Sequence, residues 1–334
     1  MLKRESLYNA GVLLLSAATS LGLAEITVRL FVPVRDVGPS LSVHDPVLGK
    51  RMKANFSAER KTPEFRMRLS TNSLGLRGPE PAGIPKRPIL FLGDSFTLGY
   101  GVSDGEEYPA RLSVELRRRY GDSAPPVVNS GIGDTGNGYW VKFLRSEAEA
   151  MQPRLVVMQF FENDFADNVS DGLFALEPDG SLQELPVPGP GVMRKLQTMF
   201  NVIPGLSNSH LVGLLRQVRV PTIGSRGSSV ADSPRSQRLE PADQLTTNIV
   251  EEAISMCEAR GWKILGLLVG LSDAREAAVK HLFARHKAPI VVIPSKSERP
   301  DLYYKIDAHW HTGGHAFVAG RVLEALSATG IAIP

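Results

Sequence analysis

Apolar and polar positions along the chain change their pattern at two points. The amino-terminal stretch is mostly apolar from Leu7 to Ala24, and Ile26 to Val32 prolong it with only Glu25, Thr27 and Arg29 as polar breaks. Read as one helix, Leu7 to Phe31 would be roughly 37 Å long at about 1.5 Å per residue, enough to cross a bilayer. Glu25 and Arg29 would then pair one turn apart near its outer end, and Pro33 would stop it. From Val34 to Arg87 the chain is rich in Pro, Gly, Arg and Lys without a helical period. That composition predicts an extended segment laid over the remainder, including a turn-forming stretch, Thr71-Asn72-Ser73-Leu74-Gly75-Leu76-Arg77-Gly78. From Pro88 onward short apolar runs alternate with amphipathic ones: strand Ile89–Leu92, helix Tyr108–Tyr120, strand Pro126–Asn129, helix Gly138–Met151 and strand Leu155–Phe161. Such alternation predicts an α/β fold, a three-layer sandwich in which a parallel sheet is flanked by helices.

The alternation lapses between about Ala166 and Glu240, where Pro-Gly runs, predicted helices at Gly191–Phe200 and Ser209–Val218, and a polar tract from Gly224 to Arg238 suggest an insertion. It resumes with helix Pro241–Arg260, strand Lys263–Val269, helix Asp273–His286, strand Pro289–Ile293 and helix Thr312–Ala328. The expected organisation is therefore a membrane or signal segment (1–32), an extended segment packed on the core (33–87) and an α/β domain (88–334) interrupted at about 166–240. No internal repeat is visible.

Composition narrows the function. At 334 residues, 43% hydrophobic and 22% charged, the chain has the make-up of a globular protein with a sizeable core. Its 38 basic and 35 acidic residues are dispersed, without a basic block interleaved with aromatics, so nucleic acid is not an expected partner. The single cysteine, Cys257, excludes an intrachain disulfide and a multi-cysteine zinc site. Lys3 and Arg4 ahead of the apolar stretch favour a cytoplasmic amino end and an exported remainder. Gly22-Leu23-Ala24 also offers a cleavage site, so an anchor, a cleaved signal and a buried helix are all compatible with the pattern.

Chemistry-bearing residues gather at the predicted strand ends. Gly93-Asp94-Ser95-Phe96-Thr97 follows the first strand, where a serine would be held rigidly at the ligand crevice of a parallel sheet. Asn129-Ser130-Gly131-Ile132-Gly133-Asp134-Thr135 ends the second, and its glycines would let a backbone N–H approach a substrate oxygen. Phe161-Glu162-Asn163-Asp164 ends the third, with the Asn163 amide as a donor that does not titrate. Before the last helix comes Asp307-Ala308-His309-Trp310-His311-Thr312-Gly313-Gly314-His315, offering a histidine base with a carboxylate two residues away. Taken singly, each segment is also a turn or helix cap. Asp307, His309, His311 and His315 are moreover all metal-ligand types, so a metal site is the alternative for the last group. Tyr303 and Tyr304 read as packing residues.

In their order and placement these blocks resemble those of the GDSL or SGNH hydrolases, over roughly Ile89 to the carboxyl end. The resemblance implies a flavodoxin-like SGNH fold and a serine esterase without cofactor or metal. It implies Ser95 as nucleophile, His309 and Asp307 as its base and orienting carboxylate, and the Ser95 N–H, the Gly133 N–H (Gly131 as alternative) and Asn163 as oxyanion hole. Two features depart from the common pattern: Phe161 stands where a glycine is usual, and the last block is Asp-x-His-Trp rather than Asp-x-x-His. The shorter spacing looks like the exported, membrane-associated branch, which includes proteins that acetylate alginate-type exopolysaccharides. The expected substrate is therefore an ester or acylated glycan of the envelope, with the domain outside the cytoplasm. An O-acetyltransferase, a lipase or thioesterase, and a non-catalytic glycan-binding or assembly protein are the alternatives. Against the ordinary α/β-hydrolases, Thr97 occupies the place of the second glycine of their nucleophile elbow.

Overall fold

The structure is a computed structural model that describes residues 2–32, 34, 37–190, 206–217 and 241–329. Its centre is a parallel sheet built from β5 (Ile89–Leu92), β6 (Val127–Asn129), β7 (Leu155–Phe161), β10 (Lys263–Val269) and β11 (Ile290–Ile293), in the order β6-β5-β7-β10-β11. Register is continuous across the middle: Ile89 lies opposite both Val127 and Leu155, and Leu155 lies opposite Lys263. The strands are apolar runs rather than alternations because both faces are covered. Ile89, Phe91, Leu155 and Val157 face α3 (Tyr108–Tyr120) and α10 (Thr312–Ala328). Leu90, Leu92, Val156, Met158 and Phe160 face the layer holding α4 (Gly138–Phe143), α8 (Pro241–Ala259) and α9 (Asp273–Arg285). Strand order reverses at β5, whose neighbours β6 and β7 lie on opposite sides of it, so a crevice opens beyond the carboxyl ends of these strands.

Several boundaries differ from the sequence expectation for identifiable reasons. The expected helix Gly138–Met151 is one rod with a π-helical stretch, Leu144–Ala148, between α4 and α5 (Glu149–Met151). Pro126 and Pro289 stay outside the ladder, where a residue without an N–H is tolerated. A short helix, α6 (Asp164–Asp171), follows β7 directly and was not foreseen, because its sequence DFADNVSD has low intrinsic helix preference. Tertiary contacts hold it instead: the buried Asn168 amide donates to Asn137 (2.9 Å) and Thr246 (2.8 Å) and accepts from Gly138 N (3.0 Å).

Residues 37–87, the collar, hold two antiparallel hairpins: β1 (Ser42–Asp45) with β2 (Gly49–Met52), and β3 (Ser57–Lys61) with β4 (Arg66–Ser70). Leu48, Met52, Phe65, Met67 and Leu69 from these hairpins are buried in the main core. Beyond α6 the chain forms a hairpin, β8 (Phe174–Leu176) with β9 (Leu182–Glu184), and later α7 (His210–Gln217). The expected helix Gly191–Phe200 and the polar tract Gly224–Arg238 lie outside the described residues. At the amino end α1 (Leu2–Phe31) is straight helix, and its stretch Tyr8–Phe31 is long and apolar enough to cross a membrane. Arg29 pairs with Glu25 at 3.1 Å, and Glu25 also accepts from Ser209 Oγ (2.6 Å) and from the N–H groups of His210 and Leu211 (both 2.9 Å).

Candidate active site

The chain turns sharply after β5 because Gly93 leaves room: a Cβ there would lie 2.2 Å from Thr97 Oγ1 and 2.5 Å from Gln159 Oε1. Asp94 then caps the four-residue helix α2 (Ser95–Leu98), its Oδ1 accepting from Phe96 N at 2.8 Å. Burial pushes the Asp94 carboxyl up to about 6. Ser95 is thus the first residue of a capped turn at the sheet's crevice.

Asp307 and His309 reach the same place from the loop ahead of α10. His309 Nε2 lies 2.7 Å from Ser95 Oγ, and His309 Nδ1 lies 2.5 Å from Asp307 Oδ1. The same carboxylate oxygen accepts from the backbone N–H of His309 at 2.9 Å. This geometry calls for the tautomer with Nδ1–H donating to Asp307, which leaves Nε2 as the acceptor for the serine hydroxyl. Although burial acts in the opposite direction, the His309 hydrogen bond and charge hold Asp307 below the ordinary carboxylate range. Trp310 fixes the loop from beneath: fully buried, it packs edge-on against Phe96 (4.6 Å between centroids) and His315 (5.4 Å).

The two candidate glycines after β6 behave differently. Gly131 is locked into the scaffold, since a Cβ there would sit 2.2 Å from Leu98 N, and its N–H is already given to Asn129 Oδ1 at 3.0 Å. Gly133 faces Ser95 instead, with a Cβ position 3.4 Å from Ser95 Cβ. Asn163, after β7, donates through Nδ2 to Asp167 one helical turn on (2.7 Å), while its buried Oδ1 has no hydrogen-bond partner among the described residues. No hydrogen bond joins Asn163 to Ser95. Asp167 is pushed up to about 6 by burial and then by the nearby carboxyls of Asp171, Asp134 and Asp94.

The metal alternative disperses. His311 caps α10, accepting from Gly313 N (2.9 Å) through Nδ1 while Nε2 donates to Asp301 O (2.7 Å). His315 is buried beside Tyr108, whose N–H it accepts at 3.3 Å. Among the described residues no group of three or more His, Cys, Asp or Glu is placed to hold a metal ion. Of the two tyrosines read as packing residues, Tyr304 lies against Phe65 of the collar and donates to Gly101 O at 2.7 Å.

Residues of the collar that sequence reasoning did not single out buttress three of the loops at this site. Lys50 Nζ donates to the Gly133 carbonyl at 2.5 Å, and Glu64 accepts from the N–H groups of Ile306 (2.9 Å) and Asp307 (2.6 Å). Arg77 lies in the stretch expected only to turn, yet its guanidinium is fully buried. It donates to the carbonyls of Leu98 (2.8 Å), Gly99 (2.7 Å) and Val102 (2.8 Å) just beyond α2. No local pattern marks these contacts, which join positions 21 to 243 residues apart.

The profile of the GDSL-like lipase/acylhydrolase family matches residues 89–259. Among solved structures, the chain is similar to TesA, at 14% identity and a TM-score of 0.43, with 72% of this chain and 98% of that one covered. It is similar to an acetyl xylan esterase, AlAXEase, at 11% identity and 0.44, covering 72% and 99%. It is also similar to LAE5, an alpha/beta hydrolase enzyme from the metagenome of Lake Arreo, Spain, at 15% and 0.43, covering 75% and 99%. No curated protein matches. With the profile spanning the first three strand-end blocks on a parallel five-stranded sheet, the chain belongs to the GDSL-like lipase/acylhydrolase family and is an SGNH-type ester hydrolase.

Proposed function

We propose that Ser95, His309 and Asp307 form the catalytic triad of a serine esterase that removes small acyl groups, acetyl above all, from an envelope or exported glycan or a similar ester. The observation that carries this reading is the unbroken chain Ser95 Oγ to His309 Nε2 (2.7 Å) and His309 Nδ1 to Asp307 Oδ1 (2.5 Å). Ser95 Oγ attacks the ester carbonyl carbon while its proton passes to His309 Nε2, and Asp307 stabilises the imidazolium. When the ester C–O bond breaks, His309 returns the proton to the departing alcohol and an acyl-enzyme remains. Water, deprotonated by the same histidine, then releases the acid.

The oxyanion is held by the N–H groups of Ser95 and Gly133 and by the Asn163 amide. As the first helical residue of α2, Ser95 has no intrahelical acceptor for its N–H. The bond from Asn163 to Asp167 takes one of the two Nδ2 hydrogens and leaves the other for substrate. Phe161, in place of the usual glycine, packs at a tilt against Phe96 (4.6 Å between centroids) beside the His309 ring, which favours a short acyl group. α1 anchors the protein in the membrane, and the catalytic domain lies on the exported side.

The test is labelling of the full chain, in detergent, with a fluorophosphonate probe, together with hydrolysis of p-nitrophenyl acetate and p-nitrophenyl palmitate. Wild type is expected to label and to favour the acetyl ester, and Ser95→Ala to do neither. Unchanged labelling and hydrolysis in Ser95→Ala would remove Ser95 as nucleophile, and a preference for palmitate would replace the small-acyl reading by a lipase.

A further inference from the structure

The loop that carries Gly133 has a mechanical problem. It runs past the end of β6, where no ladder partner is left, and its central residue has no side chain with which to fix itself. Its flanks are tied down: Ile132 N donates to Gly93 O at 3.2 Å, and Thr135 Oγ1 donates to Ile132 O at 2.7 Å. Between them, Asp134 adopts a left-handed backbone, φ +54°, a conformation that among non-glycine residues Asn and Asp enter most readily, so the residue alone does not fix the loop.

A group that bonds this turn comes from the collar. Lys50 Nζ donates to the Gly133 carbonyl at 2.5 Å and approaches the Asp134 carbonyl at 3.4 Å, with the Asp134 carboxylate at 4.0 Å. The ammonium thus holds two successive carbonyls on the peptide that turns through the left-handed residue. Its own side chain is only 16% exposed, and the strand that presents it is rigidly held. In the same hairpin Asp45 Oδ1 accepts from Val47 N and Leu48 N (both 2.8 Å), Asp45 Oδ2 pairs with Arg51 (2.9 Å), and Arg51 reaches Glu147 of the π-helical stretch (2.6 Å). Leu48 is buried in the core. Lys50 is therefore a cation with a fixed origin, bonded to the carbonyls of the loop that faces Ser95.

We propose that Lys50 is a positioning residue of the oxyanion hole: by bonding the Gly133 and Asp134 carbonyls it fixes the loop in the orientation that turns the Gly133 N–H towards Ser95. This rests on the reading of Gly133 as an oxyanion donor. An oxyanion donor contributes about 10²–10³-fold to turnover, and displacement of about 1 Å can forfeit much of that. A charge-assisted hydrogen bond is the kind of contact strong enough to hold such a loop. Lys50 does not touch the acyl carbon, so its loss acts on the transition state more than on substrate binding.

The experiment compares kcat and KM for p-nitrophenyl acetate in full-length wild type, Lys50→Met, Lys50→Arg and Ser95→Ala, with thermal midpoints measured alongside. Lys50→Met is expected to lower kcat by roughly tenfold to a hundredfold with KM changed less than about threefold. Its thermal midpoint should stay close to that of wild type, and Lys50→Arg should recover most of kcat because it keeps both charge and donors. The proposal is overturned if Lys50→Met keeps kcat within twofold of wild type. It is equally overturned if the loss tracks a fall in thermal midpoint that Arg does not rescue, which would make Lys50 a structural residue only. If Ser95→Ala retains activity, the underlying site assignment fails, and the Lys50 role falls with it. Full loss in Ser95→Ala with a normal Lys50→Met removes the Lys50 role alone.

Discussion

Asp307→Asn isolates the electrostatic part of the proposed triad, because the substitution preserves shape and can preserve the backbone hydrogen bond from His309 N (2.9 Å). What it removes is a negative charge 2.5 Å from Nδ1 of a ring that must become positive as Ser95 loses its proton. With the charge centres roughly 4 Å apart, the attraction is about 4 kcal/mol at an effective dielectric near 20. The pair is not fully sealed, with 30% of the Asp307 and 20% of the His309 side chain exposed, so solvent lowers this to about 2–4 kcal/mol. That range corresponds to a fall of about 30-fold to 10³-fold in kcat. The amide adds a second penalty when its NH₂ group turns to the ring, since it then selects the tautomer whose Nε2 carries the hydrogen and cannot accept from Ser95. The loss should therefore sit at or above the upper end of the range. KM should move little, because Asp307 acts through His309. The assay is kcat and KM for p-nitrophenyl acetate at pH 7.5, with the thermal midpoint as a check on folding. A variant within fivefold of wild-type kcat would refute the assignment of Asp307 as the orienting carboxylate.

Other expectations follow from buried groups around the site. Arg77→Leu should cost about 3–5 kcal/mol, on the order of 10 °C in thermal midpoint, because three carbonyls and the buried Glu107 at 3.5 Å lose their cation; a shift of 1 °C or less would contradict this. Gly131→Ala should lower the midpoint far more than Gly133→Ala, since its Cβ would lie 2.2 Å from Leu98 N while that of Gly133 would lie 3.4 Å from Ser95 Cβ; equal midpoints would be inconsistent with these clearances. His315, buried beside Tyr108 and Trp310, is held neutral by burial well below its ordinary range, whereas the unfolded chain takes up a proton near pH 6.5. Its contribution is complete above about pH 6.5 and falls by about 1.4 kcal/mol per unit as pH drops below that value. Thermal midpoints at pH 7.5, 6.5 and 5.5 should accordingly fall more steeply in wild type than in His315→Gln, and parallel curves would exclude this linkage.

The fold was legible where one local rule dominates. Strands β5, β7 and β10 are apolar runs because both faces are covered, and that pattern survives without knowledge of the partners. Ser95 and the Asp307/His309 pair stand out in the sequence for a related reason, since each sits where such a run, or the chain before the last helix, breaks into a short polar block; the structure brings the three within hydrogen-bond distance. Helix α6 was not legible, since its stability resides in Asn168 contacts with Asn137 and Thr246 rather than in its own sequence. That Gly131 packs against the backbone of α2 while Gly133 lies beside Ser95 was also beyond sequence, because it depends on tertiary packing.

The collar's part in the site follows from a general property of parallel sheets. Loops beyond the strand ends carry backbone N–H and C=O groups that the ladder cannot pair, and those groups need partners when solvent is excluded. Here the partners match the polarity of what each loop exposes. After α2 the exposed groups are the carbonyls of Leu98, Gly99 and Val102, and they meet the cation of Arg77. After β6 they are the carbonyls of Gly133 and Asp134, and they meet the cation of Lys50. Ahead of His309 they are the N–H groups of Ile306 and Asp307, and they meet the anion of Glu64. These three side chains lie between residues 50 and 77, outside the 89–259 stretch that matches the family profile. Residues 88–334 alone would lack these three partners and also Leu48, Met52, Phe65, Met67 and Leu69 from the main core. The expected smallest active unit therefore includes the collar, and a chain cut to residues 88–334 that hydrolysed p-nitrophenyl acetate at the full-length rate would refute this.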